Sequence, residues 1–494
     1  MQTKQEIIQW LEDNRDRFIA MADEIWATPE IAWEEYTSSQ LQADFFADEG
    51  FKVWSIEDIP TAFIAEWGEG KPIIGFVGEY DALPGLSQKC QTTQEPLEPG
   101  TAGHGCGHNL LGTGAVGSTA AIKQWLEATG TSGTVRYYGC PAEERGSAKT
   151  YMARAGSFDD LDLAFNFHPG SVNMAGKSSS VGVYDVRFRF YGRTAHAGGS
   201  PHLGRSALDA VELLNIGVNF LREHVLPSVR MHYVITKGGE APNIVPDFAE
   251  VWYFLRAHLP DEHAELIERV RKIAQGAALM TETRHEEVFG GTCSSMLNNH
   301  YLADLQYEAM KEIGPMQFTD EEVAFAQKIS DQYPEEMFED SIKGLINNFH
   351  LPEDKIRHPI PPENFPPSGE GYVMGGSTDV GDVSWCTPVS MITTTCFPMA
   401  APGHSWGNVA TGGMSIGHKG MMHAAKVMAV AAMDCYSDPQ HIQKAREEFE
   451  KATKGRPYKA MIPEEITRPP FVDTTRPGLA ARYPQFPNYD RDRR

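Results

Sequence analysis

The sequence predicts an α/β fold interrupted by a compact α+β unit. Three observations carry that prediction. Short apolar runs alternate with helical stretches as far as residue 181, the texture switches to period-two alternation over 183–190, and the first texture resumes near 291.

Taken in order, residues 4–26 place Ile7, Ile8, Leu11, Phe18, Met21 and Ile25 at helical spacing and stop before Thr28-Pro29. Ile73–Val77 then reads as a buried strand leading into Glu79-Tyr80-Asp81-Ala82-Leu83-Pro84. Thr134–Tyr138 leads into Cys140-Pro141-Ala142-Glu143-Glu144, and Leu161–Phe167 into His168-Pro169-Gly170. Between the first two of these, residues 109–128 read as a helical stretch holding Leu110, Leu111, Val116, Ala120, Ile122 and Leu126. Alternation of this kind gathers polar groups at strand ends, where α/β sheets build sites. Val183–Phe190 alternates apolar and polar as a half-exposed strand does. A helix from Ser206 to His224, strands over Met231–Thr236 and Ala249–Leu255, and a helix from Asp261 to Ala278 complete a β-α-β-β-α insert. The expected division is 1–181 and 291–440 as two parts of one domain, 182–290 as the insert, and 441–494 as a C-terminal extension. Residues 315–370, acidic and proline-rich, are expected to form an irregular surface insertion with one helix near 319–331, a possible lid. The Arg- and Pro-rich tail after 455 is expected to be extended.

A net charge of −24 excludes a nucleic-acid surface built on basic clustering. With 41% apolar residues the chain can bury a large core without disulfides, and its seven cysteines are scattered, never as CxxC. That usage fits a reducing compartment. The N-terminal residues lack the apolar core of a signal peptide and no run of apolar residues is long enough for a span. The expectation is a cytoplasmic protein with no membrane or nucleic-acid partner.

Several residues could do chemistry. In Gly103-His104-Gly105-Cys106-Gly107-His108, a thiolate and an imidazole two residues apart can share a borderline divalent metal. The same loop could also be glycine-rich with an incidental Cys and His. Glu143 and Glu144 could divide the work of base and ligand, or form a solvated turn. His168 ends an apolar run and His404 follows one (Val389 to Cys396) after a turn; each could be a ligand or a core-edge histidine. His196, in a glycine-rich turn of the insert, could serve a neighbouring chain or no one. Together Cys106, His108, Glu144, His168 and His404 suffice for a two-metal centre with Glu143 as a base beside it. A nucleophilic Cys106 activated by His108 or His104 is the competing chemistry, and it leaves the carboxylates and distant histidines without a task.

The motifs GEYDALPG (78–85), GHGCGHN (103–109), PAEE (141–144), FHPG (167–170), GRTAHAGGSPHLGRSALDA (192–210), GGEAPNIVPD (238–247) and PGHSWG (402–407) occur in one order. In that order the chain resembles the aminoacylase and glutamate-carboxypeptidase family of dinuclear metallohydrolases, in the amidohydrolase branch that includes plant auxin-conjugate hydrolases. The resemblance implies a mixed-sheet metallopeptidase catalytic domain carrying a ferredoxin-like dimerisation domain. It implies ligands to two divalent ions, Zn or Mn, at Cys106, His108, Glu144, His168 and His404. It gives Glu143 the role of general acid/base and Asp81 that of orienting the site. His196 would act in the partner subunit's site, and Asn243 and Arg256 would hold a substrate carboxylate. The implied activity is hydrolysis of N-acyl or N-aroyl amino acids, of the p-aminobenzoyl-glutamate kind, by a homodimer or a pair of homologous subunits. A dipeptidase or aminoacylase of the same family, and a non-catalytic partner subunit, are the alternatives. Asn109 stands where many members of the branch have aspartate, and Gly376-Ser377-Thr378-Asp379 where relatives commonly have Ser-Glu-Asp-Phe.

Overall fold

The computed structural model describes residues 3–473, 475, 476, 478, 479, 488 and 489. Most of the tail expected to be extended beyond 473 lies outside the described residues; 456–473 carries neither helix nor strand and packs back on the body, with the Tyr458 hydroxyl donating to Asp382 at 2.7 Å.

The first amphipathic stretch forms two helices, Lys4–Asp13 and Arg15–Ala27, broken at Asn14. Thr3 and Glu6 close a capping box at its start, satisfying donors that a helix N-terminus leaves orphaned. Ile7, Leu11, Phe18, Met21 and Ile25 are buried, so the periodicity survives the break.

The body is a mixed eight-stranded sheet. Its spatial order is Lys52–Ile56, Ile59–Glu69, Gly133–Cys140, Ile73–Glu79, Leu163–Gly170, Val389–Thr395, Asn173–Gly176 and Asn364–Ser368. Ile73–Glu79 runs parallel to both Gly133–Cys140 and Leu163–Gly170, which in turn pairs in parallel with Val389–Thr395. The central strands are buried along nearly their whole length, as the continuous apolar runs require. Helices His108–Thr129 and Ser415–Ser437 lie against each other and the sheet, and both are almost wholly buried.

The insert is a second sheet in the order Arg284–Cys293, Gly182–Tyr191, Phe248–Ala257, Arg230–Lys237, antiparallel throughout. Helices Ala207–Leu221 and Pro260–Thr281 cover one face of it. Numbered along the chain, the strand order is 4-1-3-2 in a βαββαβ unit, the ferredoxin-like arrangement. The sequence expectation lacks its fourth strand, which runs to Cys293, past the expected boundary at 290. Gly290 and Gly291 form an irregularity opposite Asp185 that the strand passes through. The edge strand Arg230–Lys237 leaves Tyr233, Val234 and Ile235 exposed.

Residues 315–370 correct the expectation of an irregular segment with one helix. They hold helices Asp320–Ser330, Glu335–Phe349 and Glu353–Ile356, and the strand Asn364–Ser368 that extends the main sheet. The proline clusters obscured both features. Pro366 and Pro367 are tolerated because that strand lies at the sheet edge, where a missing N–H breaks no ladder. No residue of 315–370 lines the cavity described below. Instead Tyr333 stacks on Trp406 at 5.5 Å and accepts the Gly407 N–H at 3.2 Å, bracing the loop that carries His404.

Candidate metal centre

The functional side chains collect at the carboxyl ends of the parallel strands, where the chain leaves the sheet and backbone groups are free to turn inward. Glu79 ends Ile73–Glu79 and Asp81 follows it. Glu143 and Glu144 follow Gly133–Cys140, His168 lies near the end of Leu163–Gly170, and His404 lies on the loop after Val389–Thr395. His108 is the first residue of its helix, reached through Gly107 at φ 76°, a left-handed turn that glycine adopts without strain.

Adjacent residues on a strand face opposite ways, so Glu143 and Glu144 could not share a site from regular β backbone. Ala142, buried and held at φ 55°, breaks that alternation. Its N–H donates to the Glu35 carboxylate at 2.8 Å, and Glu35 also accepts from Trp33 N at 2.9 Å and the Thr61 hydroxyl at 3.1 Å. Glu35 is fully buried, and burial followed by the Asp81 charge pushes its carboxyl well above the usual range. His404 is a second left-handed non-glycine residue, at φ 57°. Such conformations persist only where surrounding contacts enforce them.

Three sets of donors converge: Cys106, His108 and His168; Cys106, Glu144 and His404; and Glu79, His108 and Glu143. Cys106 Sγ is 3.2 Å from His168 Nε2, and Glu144 Oε2 is 3.4 Å from His404 Nε2. His108 Nδ1 lies 2.8 Å from Asp81 Oδ1, while Asp81 Oδ2 accepts the Glu144 N–H at 2.8 Å. His168 Nδ1 lies 2.8 Å from the Pro169 carbonyl. In both histidines the acceptor at Nδ1 places the proton there and leaves Nε2 with a lone pair aimed into the cluster, the arrangement that metal-ligating histidines adopt. His108 Nε2 and Glu144 Oε1 are buried without a hydrogen-bond partner, although Glu79 Oε2 is 3.2 Å from the former. Unsatisfied buried donors and acceptors are costly, and a thiolate, imidazole and carboxylate set suits a divalent ion. The residues present therefore fit a metal centre.

Burial acts downward on His108, but Cys106, Asp81 and Glu79 outweigh it and raise the imidazole well above its usual range. Burial, reinforced by Glu144, raises the Cys106 thiol, and burial, Glu79 and Glu144 together push Glu143 well above the usual carboxylate range. Glu144 is pushed up to about 7, chiefly by burial. Burial acts upward on Asp81 too, but His108 outweighs it and holds Asp81 below its ordinary value. Burial lowers His168 and His404.

Three participants went unrecognised in the sequence. Lys149, fully buried, reaches Glu79 Oε1 at 2.8 Å and Asp379 Oδ1 at 2.5 Å, and its N–H donates to Asp379 Oδ2 at 3.0 Å. Glu79 could have been found, because it stands two residues before Asp81 at the end of the same strand. Lys149 and Glu35 left no local signal. Asn109 lies at the start of the same helix, but its amide donates to the Gly412 carbonyl at 3.0 Å, so this position bears on helix packing rather than on the cluster.

A cavity of 710 Å³ opens beside the cluster, lined by Glu143, Glu144, Asp379 and His404 from the body and by Asp185, Trp252 and Arg256 from the inserted sheet. Arg256 Nη1 donates to Ser377 Oγ at 2.7 Å. The structure thus brings together Asp81, Cys106, His108, Glu143, Glu144, His168, His404 and Arg256. It does not bring His196 or Asn243 to this cavity within one chain. His196 is exposed, with Nδ1 accepting from Gly198 N at 3.1 Å and Gly199 N at 2.9 Å, which leaves Nε2 as a donor. Asn243 adjoins it, its carbonyl accepting the Ala197 N–H at 3.0 Å.

A mixed α/β sheet with a thiolate-histidine-carboxylate cluster at its strand ends defines a metallohydrolase. Comparison with known proteins gives the same class. The peptidase dimerisation domain family matches residues 179–281. One of the p-aminobenzoyl-glutamate hydrolase subunits of Escherichia coli (strain K12) is 42% identical over 479 residues, covering 94% of this chain and all of that protein. Among solved structures, an aminobenzoyl-glutamate utilization protein from Klebsiella pneumoniae superposes with a TM-score of 0.58 at 17% identity, over 86% of this chain and 97% of that one. A Bacillus subtilis protein, described as a dinuclear metal binding peptidase from the M20 family, gives 0.56 at 15% identity, over 86% and 99%. The chain belongs to the M20 family of metal-dependent hydrolases, in its amidohydrolase branch. Among the described residues no helix is long and apolar enough to cross a membrane.

Proposed function

We propose that this protein hydrolyses the amide bond of N-acyl or N-aroyl amino acids, with p-aminobenzoyl-glutamate as the first substrate to try. The observation that carries the proposal is the convergence of two Cys106-centred donor sets with Glu143 beside them at the mouth of one cavity. Cys106, His108, Glu144, His168 and His404 would hold two divalent ions, zinc or manganese, whose Lewis acidity would polarise the amide carbonyl and acidify the attacking water. Glu143 accepts a proton from that water and returns it to the leaving nitrogen. Its raised affinity for a proton, a consequence of burial and of Glu79 and Glu144, suits the second half of that task. Asp81 holds His108 and the Glu144 backbone in register.

Arg256 and Asn243 are assigned to the substrate's carboxylate. His196 is assigned to the partner subunit's site, where its outward Nε2–H would donate to the developing oxyanion, an effect usually worth several kcal/mol. The exposed edge strand Arg230–Lys237, with Tyr233, Val234 and Ile235 uncovered, supports pairing with a second copy or a homologous subunit. The seven free cysteines suit the cytoplasm. A non-catalytic subunit would have no use for an intact base beside an intact ligand set.

The test is metal analysis of the purified protein, followed by assay of N-acyl, N-aroyl and dipeptide substrates after chelation and restoration with zinc or manganese. Hydrolysis restored by metal on N-aroyl amino acids supports the reading. Turnover that survives chelation would overturn it, and turnover of dipeptides alone would move it to the dipeptidase alternative.

A further inference from the structure

The three histidines of the centre are not held alike. His108 and His168 each have an acceptor at Nδ1, from Asp81 and from the Pro169 carbonyl. His404 has none among the described residues; the polar contact it makes is to Glu144 Oε2, 3.4 Å from Nε2. It is exposed and sits at φ 57°, so its own loop must fix where the ring points.

That loop is clamped from the segment 315–370. Ser405 stands at the N-cap of the helix Trp406–Gly412, yet it makes no side-chain cap. The cap comes from outside the helix. Tyr333 Oη accepts the N–H of Gly407, the second residue of the helix, at 3.2 Å, a bond that an N-cap side chain would ordinarily accept. The Tyr333 ring meanwhile stacks on Trp406, with ring centres 5.5 Å apart and 18° between the planes. So close an approach requires Gly407, since a Cβ there would lie 2.9 Å from Tyr333 Oη and 3.0 Å from Ile329 Cγ2. One residue on, Asn408 donates to the carbonyls of Pro402 and Gly105 at 3.2 and 3.1 Å. The start of this helix therefore fixes the His404 loop against the loop that carries Cys106. Tyr333 is itself carried by a docked helix, Asp320–Ser330, in which Ala326 packs with Ile416 and Glu322 pairs with Lys419 at 2.6 Å.

We propose that Tyr333 is a positioning residue for the ion held by Cys106, Glu144 and His404, acting through Gly407 and Trp406 on the loop that presents His404. The proposal rests on the ligand assignment of the preceding subsection. It adds that the two ion sites depend unequally on the segment 315–370. The 103–108 loop keeps bonds of its own, Gly105 N–H to the Gly103 carbonyl at 2.9 Å and Gly107 N–H to that of His104 at 3.2 Å, so loss of Tyr333 falls on His404. The ion held by Cys106, His108 and His168 has its histidines oriented by Asp81 and Pro169 instead.

The experiment is titration of the metal-free full chain with zinc against a chromophoric chelator, resolved into two binding steps. His404→Ala identifies the step that belongs to its ion. Tyr333→Phe keeps the stack and loses the acceptor, and should weaken that step about fivefold, as loss of one net hydrogen bond does. Tyr333→Ala loses the stack as well and should weaken it about tenfold or more. In both variants the other step should stay within about twofold of wild type. Ile342→Ala is the control for stability alone. It opens a cavity elsewhere in the segment, beside Leu351 and Ile356, and should lower the melting temperature with both steps unchanged. Two unchanged steps in Tyr333→Ala, two steps weakened equally, or the same selective loss in Ile342→Ala overturns the proposal and leaves the metal centre standing. A wild type that binds fewer than two zinc ions fails earlier, at the ligand assignment, and takes the proposal with it.

Discussion

Asp81 is the residue on which the metal centre's geometry turns, and Asp81→Asn tests it. One carboxylate oxygen accepts from His108 Nδ1 at 2.8 Å and the other accepts the Glu144 N–H at 2.8 Å. An amide of the same shape has only one oxygen, so its NH2 must face one of those two donors. If it faces His108, the imidazole must shift its proton to Nε2 and loses the lone pair aimed at the cluster. If it faces Glu144, the backbone that presents the Glu144 carboxylate is pushed away. Removal of a partner that orients a ligating histidine costs roughly 10–100-fold in metal affinity, or about 1.4–2.8 kcal/mol. The assay is competition with a chromophoric chelator at pH 7.5, with thermal melting of the apo protein as the control for folding. An affinity within about twofold of wild type would refute the assignment of Asp81 as the group that orients His108 and Glu144, because either amide rotamer must sacrifice one contact.

Four further outcomes follow from the same geometry. Glu143→Ala should bind metal as wild type does and lose about a hundredfold or more in kcat; equal turnover would remove Glu143 as the proton carrier. His196→Ala should abolish most activity with metal content unchanged, and mixing it with Glu143→Ala should restore activity in hybrid dimers, so a mixture no better than its components would argue against action between subunits. Lys149→Met should lower stability by about 3–5 kcal/mol in urea titration, since Glu79 and Asp379 would be left as buried charges without their cation. Metal affinity should weaken as the pH falls through about 7, because burial raises Glu144 to about 7 and a proton then competes with the ion for its carboxylate; an affinity flat from pH 8 to 6 would contradict that.

The cluster was legible in the sequence because each of its members sits in a short segment with a pattern of its own. Cys106 and His108 are two residues apart in a glycine-rich loop, Glu143 and Glu144 follow a proline, His168 closes an apolar run, and His404 follows one after a Pro-Gly turn. The α/β class and the inserted unit were legible for the same reason, since period and strand-end chemistry are local. The fourth strand of the insert was not, because only pairing with Gly182–Tyr191 keeps the backbone extended through Gly290 and Gly291. The helix Glu335–Phe349 was lost among prolines that turned out to lie outside it.

By itself, then, the sequence determined the residue types of the centre and their order, because ligand chemistry resides in single side chains and short turns. Only the tertiary structure decided how they meet. It took the left-handed Ala142, held by Glu35 from far upstream, to turn two adjacent glutamates into one site. It took burial to make Lys149 the counter-charge of Glu79 and Asp379, and close approach of two parts of the chain to set Glu143 and Arg256 at one cavity. Those are relations between residues distant in sequence, and burial and Coulomb interactions depend on distance in space, which no local pattern encodes.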